Sequence, residues 1–242
     1  MTLKEIFQAL TYGELSQVHI GGAEGQGITP ANQNQILTHV NLGLTELHKR
    51  FLLKEGKVVL VRPEGMNTFV LNKKYAVSNR ESWEPNKYIL DSTESPFLND
   101  VLKIERVYND KGEELMLNAG EDLGNPYHVN VRTPNYNTLV VPDSLKSGTL
   151  IVVYRANHPQ IIREDNSFDP EEIEVDLPFS HLEPLLYYVA MRVLNPVGLS
   201  GEFHDGNNYA MKFEQACALL EQQNYRVDVG EQNHRLIRNG WV

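Results

Sequence analysis

The chain has 242 residues and a formal net charge of −10 at pH 7, with 41% hydrophobic and 22% charged residues. These fractions are close to ordinary globular values and indicate neither a disordered nor a membrane protein, and the length allows one large domain or two packed ones. The acidic balance argues against a protein that grips nucleic acid, because phosphate neutralisation requires clustered Lys and Arg. Apolar runs such as Leu150–Tyr154 are too short to span a bilayer, and the N-terminal segment does not match a signal peptide. We therefore expect a soluble, cytoplasmically made protein, in agreement with its single cysteine, Cys217.

Two helices are predicted in the N-terminal quarter of the chain. Thr2 and Glu5 have the spacing of a capping box, which predicts that the first helix begins at Thr2. A second, longer helix is predicted to begin at Thr29–Pro30, where a capping hydroxyl precedes a proline, and to end at Gly56. Its apolar face repeats at three- and four-residue steps through Ile36, Leu37, Val40, Leu44, Leu47 and Phe51.

From Lys57 to about Asp176 the pattern changes to short β-branched and aromatic runs separated by turn residues. No crossover helix separates them, so we expect an antiparallel sandwich or barrel-like sheet with a hairpin turn at Asn109–Gly112. The eight predicted strands are Val58–Val61, Thr68–Leu71, Tyr88–Leu90, Val101–Tyr108, Glu114–Leu117, Val129–Arg132, Thr138–Val141 and Leu150–Arg155.

Helical periodicity returns after Leu177, with a third helix capped by Ser180 and a last helix that carries Tyr209 to Leu220. The predicted fold class is therefore α+β. Residues 1–56 and 177–224 are expected to form a four-helix bundle, with an inserted antiparallel β-rich domain at 57–176 and an extended C-terminal tail at 225–242.

No catalytic, cofactor-binding or metal-binding residue is predicted. None of the eight histidines has a second ligand at the spacing of a zinc motif, and the glycine-rich segment Gly21–Gly27 lacks the Lys-Ser/Thr ending of a phosphate loop. Cys217 lies on the apolar face of the last helix, which is typical of a core residue. Glu171, Glu172, Glu174 and Asp176 form an acidic run, which usually marks a solvated segment.

The tail combines arginines with aromatic and aliphatic residues on an otherwise acidic chain. Such side chains are enriched at the energetic centres of protein interfaces. Two interpretations stay open, a tail that docks onto a partner and a tail that folds back on its own domain. The predicted docking residues are Tyr225, Arg226, Leu236, Ile237, Arg238 and Trp241.

Several sequence segments, spread over nearly the whole chain, resemble the head-to-tail adaptor (head-completion or connector) family of short-tailed, podovirus-type bacteriophages. None of them is a catalytic signature. These segments are Tyr12–Gln17, Ile28–Pro30, Asn41–Phe51, Val152–Pro159 and Leu185–Arg192.

This resemblance implies a non-enzymatic virion protein at the head-tail junction, assembled in the host cytoplasm as a dodecameric homo-oligomeric ring between the portal protein and the tail nozzle. It implies a helical bundle with a β-rich insertion, and a C-terminal tail that docks on the portal. Double-stranded DNA would pass through the ring without specific binding, and no membrane is involved. Loops Asn79–Asn86 and Ala119–Asn125 are the candidate nozzle contacts.

Two other classes of function stay open. A tail-associated carbohydrate- or wall-degrading enzyme would require two carboxyl groups at catalytic separation in a cleft. A monomeric ligand- or peptide-binding module would require an apolar pocket with a few converging polar groups.

Overall fold

The computed structural model describes residues 1–16, 28–30, 32–118, 130–145, 148–163, 168–194 and 203–223, with only the backbone described at 203–207. The chain divides into two compact units. We call Met1–Leu52 with Gln160–Val242 the terminal unit, and Leu53–Pro159 the central unit.

The described part of the terminal unit contains four α-helices. Helix α3 packs against each of the other three, and a short 3₁₀ turn, Phe179–His181, leads into it. The helices are α1 (Leu3–Tyr12), α2 (Gln33–Arg50), α3 (Leu182–Leu194) and α4 (Phe203–Gln222).

The predicted capping box at the start of α1 is confirmed. The backbone N–H of Glu5 donates to Thr2 Oγ1 at 3.3 Å, and the backbone N–H of Thr2 donates to Glu5 Oε2 at 2.9 Å. An isolated antiparallel bridge between Thr2 and Glu174 then places the acidic segment beside the start of this helix.

The predicted ends of the second helix are wrong. Thr29 lies in a turn before α2, where its backbone N–H donates to Asn32 Oδ1 at 2.7 Å, and the helix begins four residues later at Gln33. It ends at Arg50, because Phe51 turns to extended backbone with its side chain fully buried. Gly56, the predicted cap, lies in a β-strand, so α2 is ~27 Å long.

The central unit contains eight β-strands in its described residues, and all eight predicted strand positions are confirmed to within a few residues. The strands are β1 (Glu55–Val61), β2 (Thr68–Val70), β3 (Ile89–Leu90), β4 (Val101–Tyr108), β5 (Glu114–Leu117), β6 (Asn130–Asn135), β7 (Thr138–Val140) and β8 (Thr149–Ala156). Their order across the sheet is β2-β7-β6-β5-β4-β8-β1-β3.

The hairpin turn between β4 and β5 is also confirmed. Gly112 has a φ of 78°, in the left-handed region that glycine adopts without strain. The Oδ1 atom of Asn109 accepts hydrogen bonds from the backbone N–H groups of Lys111 at 3.0 Å and Glu113 at 2.9 Å. The turn is therefore set by local side-chain chemistry that the sequence already displays.

The predicted fold class is wrong. The structure is β-rich, with four described helices and an eight-stranded mixed half-barrel sheet, and is not a four-helix bundle with an inserted antiparallel β-rich domain. Strands β5 and β6 pair in parallel, with Met116 opposite Asn130 and Leu117 opposite Val131. A tight hairpin joins only antiparallel strands, so the antiparallel prediction is wrong for this pair. The helices gather around α3, whereas in a four-helix bundle each helix packs between two neighbours.

Candidate interaction surfaces

Most of the interaction residues predicted from the sequence lie outside the described residues. All six predicted portal-docking residues (Tyr225, Arg226, Leu236, Ile237, Arg238 and Trp241) do so, and so does the loop Ala119–Asn125. The glycine-rich segment Gly21–Gly27 also lies outside them. The loop Asn79–Asn86 is described in full, and it carries the most exposed large hydrophobic residue in the described part of the chain.

That residue is Trp83, whose relative exposure is 100%. A tryptophan buries 150–250 Å² when it is covered, so its full exposure leaves a large favourable free energy unused in the isolated chain. Tryptophan is also among the residue types most enriched at the energetic centres of protein interfaces. We call residues 73–87 the Trp83 loop.

Hydrogen bonds within the Trp83 loop restrain its backbone. The Asn79 side-chain amide donates to the backbone oxygen of Lys73 at 3.1 Å, and the Ser82 hydroxyl donates to the backbone oxygen of Lys74 at 2.6 Å. The same Ser82 oxygen accepts from the backbone N–H of Glu84 at 3.3 Å. Since these bonds flank Trp83 on both sides, little backbone freedom is left to be lost when a partner covers the indole.

The loop rests on a stack of aromatic rings. Tyr75 stacks on Tyr88 with ring centres 4.7 Å apart, and Tyr88 meets Phe69 edge to face at 5.2 Å. The Lys74 ammonium lies 4.6 Å from the centre of the Tyr75 ring and pairs with Glu84 at 3.2 Å. Through Tyr75 the Trp83 loop therefore packs against Tyr88 and Phe69, which belong to the core of the central unit.

The Tyr88 hydroxyl ties the base of the loop to the sheet. It accepts from the backbone N–H of Val70 at 2.9 Å and donates to the backbone oxygen of Val70 at 3.0 Å. Burial raises the pKa of Tyr88 well above its ordinary value, so the hydroxyl keeps its proton and can continue to donate.

The charge of the Trp83 loop differs in sign from that of the whole chain. Residues 73–87 contain four basic residues and two acidic ones, whereas the chain carries a net charge of −10. Lys74 is paired with Glu84, while Arg80 and Lys73 are exposed. The sequence analysis predicted Asn79–Asn86 as a nozzle contact but did not single out Trp83. The signal that could have identified it is a single tryptophan in a polar, turn-rich stretch.

A groove of about 500 Å³ lies beside α1 in the terminal unit. Its apolar lining comes from Phe7, Tyr12, Ile28 and Pro170, and Tyr12 is 80% exposed. Its polar lining comes from Lys4, Gln8, Thr11, Gln33, Asp169 and Glu171, among which Lys4 and Glu171 form an ion pair. We call this the α1 groove.

A second groove of about 510 Å³, in the central unit, contains the carboxylates of Asp91 and Asp100. Burial acts to raise the pKa of Asp91, but hydrogen bonds from Ser78 and Phe97 outweigh it and leave the pKa below its ordinary value. Asp100 accepts from the Tyr154 hydroxyl at 3.0 Å. Both carboxylates therefore serve as acceptors for structural donors of their own unit.

Three other titratable residues in the described part of the chain, His48, His181 and Cys217, are buried. His48 and His181 are buried, and burial lowers the pKa of His181. Cys217 is fully buried on α4, and burial raises the pKa of its thiol to about 12, which removes its nucleophilic form at neutral pH. No group of three or more His, Cys, Asp or Glu side chains that could hold a metal ion occurs within the described ranges.

No protein-family model matches the chain, and a search of curated proteins finds no match. Among the described helices, none combines the length and apolar character needed to cross a membrane.

Proposed function

We propose that the chain is a structural protein of the virion, a head-to-tail adaptor of a short-tailed bacteriophage. In this proposal twelve copies form a ring that binds the portal on one side and the tail nozzle on the other, extending the channel through which DNA is ejected. The protein acts by assembly and catalyses no reaction.

The observation that carries the proposal is where the resembling segments lie. Asn41–Phe51 covers the C-terminal half of α2 and the residue after it, and Leu185–Arg192 lies within α3, against which α2 packs. A Cβ at Gly43 would come within 2.7 Å of Leu185 Cδ1 and 3.0 Å of Tyr188 Cδ1, so the two helices approach more closely than a side chain at position 43 would allow without displacing Leu185. The resemblance therefore includes a helix contact that depends on residues from both segments.

A third resembling segment, Val152–Pro159, covers most of strand β8, which pairs with both β1 and β4. Its side chains alternate between buried and half-buried positions. The segments that resemble the adaptor family therefore lie in interior elements of both units. Such a distribution favours a scaffold shared with that family over a shared surface motif.

The charge of the chain suits the proposed channel. With 32 acidic against 22 basic residues, the protein repels DNA phosphates overall. DNA can then slide past the ring without being held, because strong non-specific binding requires clustered Lys and Arg.

The test is to mix the purified protein with portal rings from the same phage and to examine the product by negative-stain electron microscopy. We expect an additional ring on one end of the portal. A matched variant that ends at residue 232 should unfold at the same temperature as the full chain and attach less to the portal, since it lacks Leu236, Ile237, Arg238 and Trp241. A full-length protein that ignores the portal would overturn the proposal, and normal attachment of the truncated variant would overturn the docking role of the tail.

A further inference from the structure

We propose that the Trp83 loop of one copy binds the α1 groove of a second copy, with the indole of Trp83 against the apolar lining and Arg80 facing Asp169. The proposal rests on the proposed ring, of which it names one contact between subunits.

The apolar match between the two surfaces comes first. Trp83 is fully exposed, and Tyr12 at the edge of the α1 groove is 80% exposed, so each presents a large ring to solvent. The groove's volume of about 500 Å³ accommodates an indole, and Phe7, Ile28 and Pro170 add further apolar lining. Covering both rings would remove two exposed aromatic surfaces in a single contact.

The charges of the two surfaces are complementary. Arg80, three residues before Trp83, is exposed on a loop that carries two more basic than acidic residues. In the α1 groove both carboxylates are exposed, but Glu171 is paired with Lys4, whereas the one hydrogen bond of the Asp169 carboxylate within the described residues comes from the backbone N–H of Glu171 at 2.9 Å, so Asp169 is available to a cation from outside. Tryptophan and arginine are both among the residue types enriched at the energetic centres of interfaces.

A second copy is the occupant that these observations favour, because this chain carries both halves of the contact. The loop and the groove are different surfaces, so the contact is heterologous and leaves one loop and one groove open on every pair of subunits. Repetition of such a contact closes a ring when the rotation between subunits allows it. A contact of the loop with the tail nozzle is the competing possibility that the experiment must separate.

The experiment measures the mass of the purified protein by sedimentation over increasing concentration, for the wild type and for Trp83→Ala and Tyr12→Ala. We expect the wild type to associate, and each substitution to raise the dissociation constant roughly thirtyfold, the change that corresponds to a hot spot of about 2 kcal/mol. The matched control is Tyr136→Ala, which removes a 61% exposed aromatic side chain elsewhere on the central unit and should associate like the wild type.

A charge reversal tests the pairing of the two surfaces. Arg80→Glu should weaken association, and the second substitution Asp169→Lys should restore part of it, an outcome that a general loss of folding cannot produce. A wild type that stays monomeric at every soluble concentration would overturn this contact. Normal association of the Trp83→Ala protein would also overturn this contact. The same holds if the substitution abolishes only binding to the nozzle.

The contact and the proposed function can fail separately. Association that persists in Trp83→Ala protein, together with a ring on the portal, would reject the contact and leave the adaptor proposal standing. Association that depends on Trp83, in a protein that does not bind the portal, would support the contact and reject the adaptor proposal.

Discussion

The hydroxyl of Tyr88 hydrogen-bonds to both backbone polar groups of Val70, accepting from its N–H at 2.9 Å and donating to its oxygen at 3.0 Å. Val70 lies in β2 and Tyr88 immediately precedes β3, and these two strands are the opposite edges of the eight-stranded sheet. A single side chain thus joins the two edges. It also occupies backbone groups that an exposed edge would offer to another chain.

Replacing Tyr88 with phenylalanine tests this link. Tyr88→Phe keeps the ring stack but leaves the N–H and the oxygen of Val70 without their partner, so we expect the free energy of unfolding to fall by about 1–3 kcal/mol. Chemical denaturation measures the loss. Tyr136→Phe, an exposed tyrosine in the same unit, is the control and should change stability by less than about 0.5 kcal/mol. Equal stability of the two variants would show that the Tyr88 hydroxyl contributes nothing.

Gly56 is a second position where the sheet depends on one residue. It lies opposite Tyr154 in the pairing of β1 with β8, and a Cβ built at Gly56 would overlap the Tyr154 ring. The ring fills the space that a side chain would otherwise occupy, and its hydroxyl is fixed by Asp100 at 3.0 Å. We expect Gly56→Ala to destabilise the protein by about 1–3 kcal/mol through overpacking.

A double-mutant cycle separates this clash from other effects of the alanine. In the background of Tyr154→Ala the ring is gone, so adding Gly56→Ala should cost little further stability in denaturant titrations. A full cost in that background would mean that the strand requires glycine for its backbone conformation instead.

The strand positions were predicted from the sequence, whereas the role of Gly56 was not. Strand positions follow from β-branched and aromatic runs between turn residues, and a turn such as Asn109–Gly112 is set by its own side chains. The role of Gly56 depends on Tyr154, about a hundred residues away, which no local pattern displays. The parallel pairing of β5 with β6 is likewise not displayed by any local pattern, and the antiparallel prediction was wrong for this pair. Trp83 was missed for a related reason, because exposure is decided by the whole fold.

His181 predicts a pH dependence of stability. Its side chain is buried against Phe51, with ring centres 4.7 Å apart, and its Nε2 atom has no hydrogen-bond partner among the described residues. Burial therefore lowers the pKa of His181 below its ordinary value of 6.5. A lowered pKa in the folded state means that the unfolded chain binds the proton more readily, so stability is greatest above pH 6.5 and falls as the pH drops below it.

The measurement is the free energy of unfolding between pH 7.5 and about pH 5.5, for the wild type and for His181→Gln. We expect the wild type to lose more stability than the variant over this interval, because glutamine does not titrate. His39, whose pKa is lowered by burial and by Arg192, contributes with the same sign and remains in both proteins. Parallel pH profiles would exclude His181 as a source of the dependence.

Cys217 predicts a slow reaction with thiol reagents. Burial raises its pKa to about 12, and the carboxylates of Glu214 and Glu221 add to this, while Arg50, which pairs with both of them, opposes it. At pH 8 the thiol is therefore almost entirely protonated, and the side chain is inaccessible as well. Modification of the native protein should therefore be limited by unfolding, and it should accelerate with denaturant in step with the loss of structure.

A cysteine introduced at the exposed position 136 should react within the mixing time under the same conditions. Comparably fast modification of Cys217 would instead mean that α4 separates from its neighbours without unfolding of the whole chain, since local opening is the remaining route to a buried thiol.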